Sequence, residues 1–302
     1  MPNSQEFEVI IIGGSYAGLS AAMSLGRSLR RVLVIDSGTP CNRQTPHSHN
    51  FLTHDGEKPD VIAKKGKGDV LKYDTISFLD DAAVSAEKTD KGFTINTQSG
   101  RRFHANKLIL ASGIRDILPD IKGFAECWGI SIVHCPYCHG YEIAHKETAI
   151  FADGDKAFHL AAIVNNLTDK ITILTNGEAG FNEEQSKKLE QHNIEIIESP
   201  ILEIMHQNGL IDQVVFSDGT TKSFEALYAA LSFEQHSDIA AVLGCEFTDH
   251  GHIMLDSSQE TTINGVFACG DNSNMQRSVA NAVYSGNLTG ALVNGKLIEE
   301  AF

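Results

Sequence analysis

The chain has 302 residues, 42% of them apolar and 21% charged, with a formal net charge of −15. That length accommodates two domains of ordinary size, and the acidic balance argues against nucleic acid or an anionic membrane surface as partner. No apolar run approaches the roughly 18 residues of a membrane span, and six cysteines make no disulfide scaffold at this size, so a reducing cytoplasm is the expected compartment.

Phe7 to Gly13 reads as a short buried strand running into the turn Gly13-Gly14-Ser15-Tyr16-Ala17-Gly18. A helical pattern follows from Leu19 to about Leu29. A strand, a glycine turn and a helix form a dinucleotide fingerprint, in which helix N-terminal amides cradle a pyrophosphate. The middle glycine of the usual motif is Ser15 here. A second strand, Arg31 to Ile35, leads to Asp36, 23 residues beyond Gly13, where a ribose hydroxyl needs an acceptor.

Residues 38–66 read as loop, punctuated by Gly38, Pro40, Pro46, Gly56, Pro59 and Gly66. His47, His49 and His54 fall close together there; solvated loop histidines outweigh a metal site. Residues 92–105 suggest a hairpin, and Lys107 to Ala111 another buried strand ending at Ser112-Gly113. Residues 114–123 are polar and punctuated by Pro and Gly, which places a domain crossing there.

Next comes His134-Cys135-Pro136-Tyr137-Cys138-His139-Gly140-Tyr141-Glu142. Two cysteines at this spacing can close a disulfide within one turn, and such motifs lower the pKa of one thiol. A dithiol that opens and closes easily is a two-electron device. Cys135, Cys138 and His139 also match the c-type haem attachment pattern. That attachment needs export, and the polar start Met1 to Phe7 gives no expectation of a signal peptide. A structural zinc site needs four ligands, whereas Cys41, Cys127, Cys245 and Cys269 are isolated singles. The expectation is a redox-active disulfide and no metal.

Thr148 to Ala152 reads as a strand, followed by Asp153-Gly154-Asp155-Lys156-Ala157, a helix to about Leu167 and a strand Lys170 to Thr175. This repeats the opening unit about 139 residues later and suggests an internal duplication. The second copy is damaged. Asp153 and Asp155 would repel a pyrophosphate. The strand end also offers neither an arginine for a 2′-phosphate nor an acid for a 2′-hydroxyl. Hairpin-like strands follow at 195–198, 201–206, 213–216 and 224–231, with a crossing back around 234–238.

The last block holds a strand ending in Cys269-Gly270-Asp271, then a long helix from near Arg277 towards Glu300. Asp271 is placed to hold a ribitol hydroxyl or phosphate. Ala282, Gly286 and Gly290 form a small face that permits close approach to a sheet or cofactor. The helix start around Ser278-Val279 has free amides and a positive dipole end, which suit a reduced flavin.

On Gly13–Gly18, Cys135–Cys138 and Ala268–Asp271 together, the chain resembles the low-molecular-weight thioredoxin reductases over nearly its whole length. The resemblance implies an α/β fold with two Rossmann-like dinucleotide-binding domains: a discontinuous FAD domain (1–114 and 237–302) and an inserted NAD(P)-type domain (115–236) carrying the cysteines. It also implies a homodimer. Gly13, Gly14, Ser15, Ala17, Gly18 and Asp36 would bind the adenosine half of FAD. Asn50 and Gly113 would lie towards the flavin, with Gly270, Asp271, Ser278 and Val279 at the ribityl and ring. Cys138 would face the flavin and Cys135 attack the substrate. Typical members have an aspartate where this chain has His139, and an intact nucleotide motif in the second domain. The run from Cys135 to Glu142 looks more like the branch that includes gliotoxin- and holomycin-type dithiol oxidases.

The expected activity is FAD-dependent dithiol–disulfide exchange. Cys135 forms a mixed disulfide, Cys138 resolves it or adds to the flavin ring, and His139 or His134 moves the protons, since histidine's unperturbed pKa of about 6.5 suits a step near neutral pH. The expected partner is a thioredoxin-like protein or a small dithiol or disulfide. NADPH use is disfavoured by the damaged turn; oxygen as acceptor and ferredoxin as donor stand as alternatives. A non-enzymatic flavin redox sensor is the reading from a different class.

Overall fold

The structure is a computed structural model that describes residues 5–302; part of the polar start read above as lacking an export signal lies outside them. The chain divides into two compact units. The first takes the residues up to Arg43 together with Phe51–Arg115 and Phe233–Phe302; the second takes Gln44–Asn50 and Asp116–Ser232. No helix among the described residues is long and apolar enough to cross a membrane.

The first unit is built on a seven-stranded sheet of described residues. From one edge its order is Ile76–Asp80, Val32–Asp36, Gln5–Ile12, Arg102–Leu110, Gly92–Thr97 and Ala83–Thr89; Val266–Ala268 also pairs with Arg102–Leu110. The opening strand is parallel to both neighbours. Its apolar run is unbroken because both faces are covered. Val9 and Ile11 point into the core that holds the helix Tyr16–Arg27, while Ile10 and Ile12 point into the core on the other face. The hairpin and buried strand expected around 92–111 share one strand. Its first residues run antiparallel to Gly92–Thr97. Its last three run parallel to Val266–Ala268.

The segment read as loop over 38–66 contains the start of a helix, Pro59–Val70. Pro59 opens it, where a missing N–H costs nothing. Pro59, Ile62 and Val70 are its buried residues. Gly68 lies in open space, so a glycine there marks no turn.

The final helix runs Val279–Ala301. Its small face meets the helix Tyr16–Arg27 rather than a sheet. A Cβ on Gly286 would sit 2.1 Å from the Ala17 carbonyl oxygen, and one on Gly290 2.6 Å from that of Ala21. With the backbones this close, Ser20 Oγ donates to the Val283 carbonyl at 2.7 Å and Ser24 Oγ to that of Asn287 at 3.2 Å.

The second unit holds a parallel five-stranded sheet in the order Glu195–Ile197, Ile171–Leu174, Thr148–Phe151, Ala226–Ala229 and Ile132–Val133. Two segments expected in hairpins, 195–198 and 224–231, are therefore parallel strands of this sheet. Both return to it through long connections, and a short apolar run does not declare the direction of its neighbours. The true antiparallel piece is Ile201–Gln207, Leu210–Phe216 and Thr221–Ser223. The protein is thus an α/β fold with two Rossmann-like sheets.

Candidate active site

In the second unit the strand Ile132–Val133 ends two residues before Cys135. Cys135 is extended (φ −120°, ψ 110°) and caps the single turn Pro136–His139. The amides of Cys138 and His139 both donate to the Cys135 carbonyl at 3.2 Å. This turn folds the second cysteine back over the first, and the two Sγ atoms lie 2.6 Å apart. Closing to the roughly 2.05 Å of a disulfide needs only a small displacement. Gly140 closes the turn: a Cβ there would meet the Pro136 carbonyl oxygen at 2.3 Å and Leu167 Cδ1 at 2.5 Å.

The two flanking histidines face different surroundings. The His134 ring lies 6.2 Å from that of Trp128, tilted by 38°. His139 is held below its ordinary pKa, first by burial and then by repulsion from His49, against the opposing pull of Glu142. His49 Nδ1 is 3.3 Å from Glu142 Oε1, and the His47 ring is 6.4 Å from the His49 ring. His139 is therefore neutral at neutral pH and can accept a proton as a thiol ionises. Among the described residues no group of three or more His, Cys, Asp or Glu could hold a metal ion.

That depressed pKa has a consequence for stability. The unfolded chain protonates His139 at about pH 6.5, before the folded chain does. The neutral imidazole's contribution is present above that value and is lost as pH falls through the folded pKa. Urea midpoints of the flavin-loaded protein at pH 7.5 and 5.5 are expected to fall with acid, and His139→Gln to fall less. An equal fall in the variant would assign the acid sensitivity elsewhere.

Sequence reasoning passed over three contributors. Glu142 stood at the end of the cysteine run without a role, and His49 stood in a loop of solvated histidines. Tyr228 is 1% exposed. The charges of Cys135 and Glu142 act on it, and burial, the larger cause, pushes its phenol well above the ordinary range. No spacing in the chain links residues 49, 142 and 228.

The dinucleotide turn lies in the first unit. Gly13 has φ 105°, and a Cβ on it would meet the Ala111 carbonyl oxygen at 2.2 Å. A Cβ on Gly14 would strike Phe78 at 2.4 Å and Asp36 at 2.8 Å; on Gly18 it would strike the Gly13 carbonyl oxygen at 1.9 Å. Ser15 is the extended N-cap of Tyr16–Arg27 and makes no side-chain cap bond. Ala17 serves packing, its carbonyl facing Gly286. Asp36 Oδ1 accepts from the Gly14 amide at 3.0 Å. Beside it opens a cavity of about 460 Å³ lined by Asp36, Ser37, Gly38, Asp80, Asp81, Ala82 and Gln98. A bare glycine turn, an uncapped helix start and a carboxylate fixed at a cavity mouth can hold the adenosine diphosphate half of FAD.

At the other end of this unit, Gly270 (φ 86°) donates its amide to Ser285 Oγ at 3.1 Å. Asp271 Oδ2 stands 3.9 Å from Arg277 Nε. Asn272 is fully buried; its Nδ2 donates to the Leu110 carbonyl at 2.9 Å, while its Oδ1 has no protein donor among the described residues. An acceptor orphaned beside Asp271 fits a bound group that brings its own donor. Ser278 caps the final helix, its Oγ accepting from the Asn281 amide at 3.1 Å. One amide expected to be free is thus already used. Gly113 (φ 69°) lies in open space. Asn50 has left-handed backbone (φ 57°) and groups with the second unit.

In the second copy of the turn both carboxylates bond to their own chain. Asp153 Oδ1 accepts from the Gly180 amide at 2.8 Å, and Asp155 Oδ1 accepts from Gln185 Nε2 at 2.6 Å. Gln185 also closes a capping box with Asn182.

Known proteins resemble this chain over nearly its whole length. The family model described as pyridine nucleotide-disulphide oxidoreductase matches residues 7–286. A protein of Claviceps purpurea named thioredoxin reductase tcpT is 30% identical, over 99% of this chain and 97% of its own length. An oxidoreductase structure from Agrobacterium tumefaciens is 35% identical with a TM-score of 0.91, covering 98% of this chain and 99% of that one. The structure of HlmI is 26% identical with a TM-score of 0.90, covering 100% and 95%. The chain belongs to the pyridine nucleotide-disulphide oxidoreductase family, as a thioredoxin reductase-like FAD flavoprotein enzyme.

Proposed function

We propose that this enzyme exchanges electrons between FAD and a dithiol through the Cys135–Cys138 pair, in the direction of dithiol oxidation, and does not draw on NADPH. The observation that carries the reading is the cysteine turn: two sulfurs 2.6 Å apart, with a histidine kept neutral beside them. Gly13, Gly14, Ser15, Gly18 and Asp36 would hold the adenosine half of FAD, and Gly270, Asp271, Ser278 and Val279 the ribityl chain and ring. Bound there, FAD supplies a two-electron acceptor that oxygen can reoxidise. A substrate thiolate attacks Cys135 Sγ of the closed pair, and the S–S electrons go to Cys138 Sγ. The second substrate thiol then attacks the mixed disulfide and expels Cys135. His139 Nε2 or Nδ1 takes the proton released. The products are a substrate disulfide and a reduced cysteine pair, and one dithiol consumes one oxygen molecule and yields one peroxide.

The case against NADPH rests on Asp153 and Asp155. Both stand at the start of the helix Gly154–Val164, where a pyrophosphate would bind, and their carboxylates bond to Gly180 and Gln185. Charge repulsion and lost hydrogen bonds would both oppose a phosphate. A second reading, a thioredoxin-like protein as the dithiol partner, is favoured by the names of relatives such as that of Claviceps purpurea. Ferredoxin as donor would run the same chemistry in reverse.

An anaerobic titration of the yellow protein tests the proposal. A small 1,4-dithiol is expected to bleach the flavin stoichiometrically, stoichiometric NADPH and NADH to leave it yellow, and air to restore the colour with peroxide. Bleaching by NADPH at one equivalent would overturn the nucleotide-independent reading.

A further inference from the structure

Tyr228 lies on the interior strand Ala226–Ala229 of the second unit, in register with Val133 on one side and Ile150 on the other. Its ring belongs to the apolar cluster of Val133, Ile150 and Val164. Its hydroxyl is shut away from solvent without a hydrogen-bond partner among the described residues. A hydroxyl buried in this way disfavours the folded state, and phenylalanine would fill the same space without that penalty.

The surroundings suggest what the hydroxyl serves. Val133 shares its cluster and precedes Cys135 by two residues. The intervening His134 turns to Trp128, which belongs to the cluster on the other face. Cys135 itself is extended, so the chain returns to the side of Tyr228. The charged groups that act on the phenol are Cys135 and Glu142. Behind Glu142 stands His49, and His139 responds to both.

We propose that the buried Tyr228 hydroxyl is a hydrogen-bond donor reserved for the Cys135 thiolate, made when the cysteine pair opens. The inference rests on the proposed function, in which Cys135 cycles between disulfide and thiolate. Opening the pair takes two electrons and one proton: the S–S bond breaks, Cys138 ends as thiol and Cys135 as thiolate. The electrons come from the dithiol partner. Tyr228 keeps its proton throughout, since its environment opposes ionisation, and it acts only as a donor. A donor present in the reduced state alone favours the thiolate and raises the reduction potential of the pair.

Tyr228→Phe in the FAD-loaded protein tests this. Two readouts are used: the rate of Cys135 alkylation by iodoacetamide against pH, followed on the Cys135 peptide by mass spectrometry, and the redox midpoint of the pair in dithiothreitol buffers. The variant is expected to lose thiolate about tenfold below the alkylation midpoint, the size of one hydrogen bond to a charged group. The same tenfold change moves the redox midpoint about 30 mV more negative. Melting temperature is expected to hold or rise, so the change cannot be laid to unfolding. A variant identical to wild type in both readouts would overturn the inference while leaving the proposed function standing. A wild-type pair that dithiothreitol fails to open would instead overturn the proposed function, and this inference with it.

Discussion

Cys138→Ser is expected to lower dithiol-driven bleaching of the flavin by on the order of 10³-fold or more, because it removes the leaving sulfur on which exchange depends. The single turn Pro136–His139 places Cys138 Sγ against Cys135 Sγ, and serine in its place can neither close the pair nor resolve a mixed disulfide. Offered the disulfide form of a small partner, the variant is expected to stop at a covalent adduct on Cys135, visible as a mass increase equal to the partner. Cys135→Ser is expected to give no adduct and the same loss of turnover. The flavin spectrum and melting temperature of both are expected to stay near wild type, since the FAD-binding turn lies in the other unit. Unchanged bleaching in Cys138→Ser would mean that electrons reach the flavin by a route that bypasses the pair.

Gly286→Val is expected to be the most damaging substitution away from the cysteines. The Cβ position at Gly286 lies 2.1 Å from the carbonyl oxygen and 2.8 Å from the carbonyl carbon of Ala17. Both belong to backbone, which cannot swing aside as a side chain can. The final helix must therefore lift off Tyr16–Arg27, losing the Ser20 and Ser24 bonds to its carbonyls. Overpacking of this kind costs about 1–3 kcal/mol or more, and each kcal/mol is roughly 2–4 °C in Tm for a unit of this size. Because Ala17 sits within the glycine motif, in the first turn of the helix Tyr16–Arg27, FAD retention is expected to fall as well. Gly295→Ala in the same helix is the control. Nothing lies within 4 Å of its Cβ position, and a helical alanine there is expected to hold or raise Tm. Thermal melts with flavin retained after gel filtration read both; equal Tm for Gly286→Val and wild type would refute the packing account.

Much of the fold was legible because its signals are local. Val9–Ile12 form a continuous apolar run because the strand is buried on both faces, and the glycines behind it are required by backbone contacts at Gly13 and Gly18. Where the structure departs from expectation, the missing information is tertiary. Pro59–Val70 hides its helix among glycines and lysines, with only three of its twelve residues buried. Glu195–Ile197 and Ala226–Ala229 look like hairpin strands until their parallel neighbours, distant in the chain, are known. The candidate site divides in the same way. Cys135, Cys138 and His139 stand in one motif. Glu142 ends the same run, but His49 and Tyr228 come from distant parts of the chain and join it only by folding. The stripe of Ala282, Gly286 and Gly290 was visible as small, but its counterpart Ala17–Ala21 is identifiable only once two helices from opposite ends of the chain meet.

That meeting of the two ends also sets an order of assembly. The first unit's sheet needs Val266–Ala268 alongside Leu108–Leu110, and its opening helix stays uncovered until Val279–Ala301 has been made. The second unit needs little beyond one continuous stretch, Asp116–Ser232, with the short segment Gln44–Asn50 already synthesised. During synthesis the inserted unit can therefore complete its core while the unit built from both ends of the chain waits, since long-range parallel pairings form only when both strands have emerged. A chain stalled before Val279 would carry a finished cysteine turn and an unfinished cofactor cradle, with the apolar face around Ala17 and Ala21 open to chaperones and proteases.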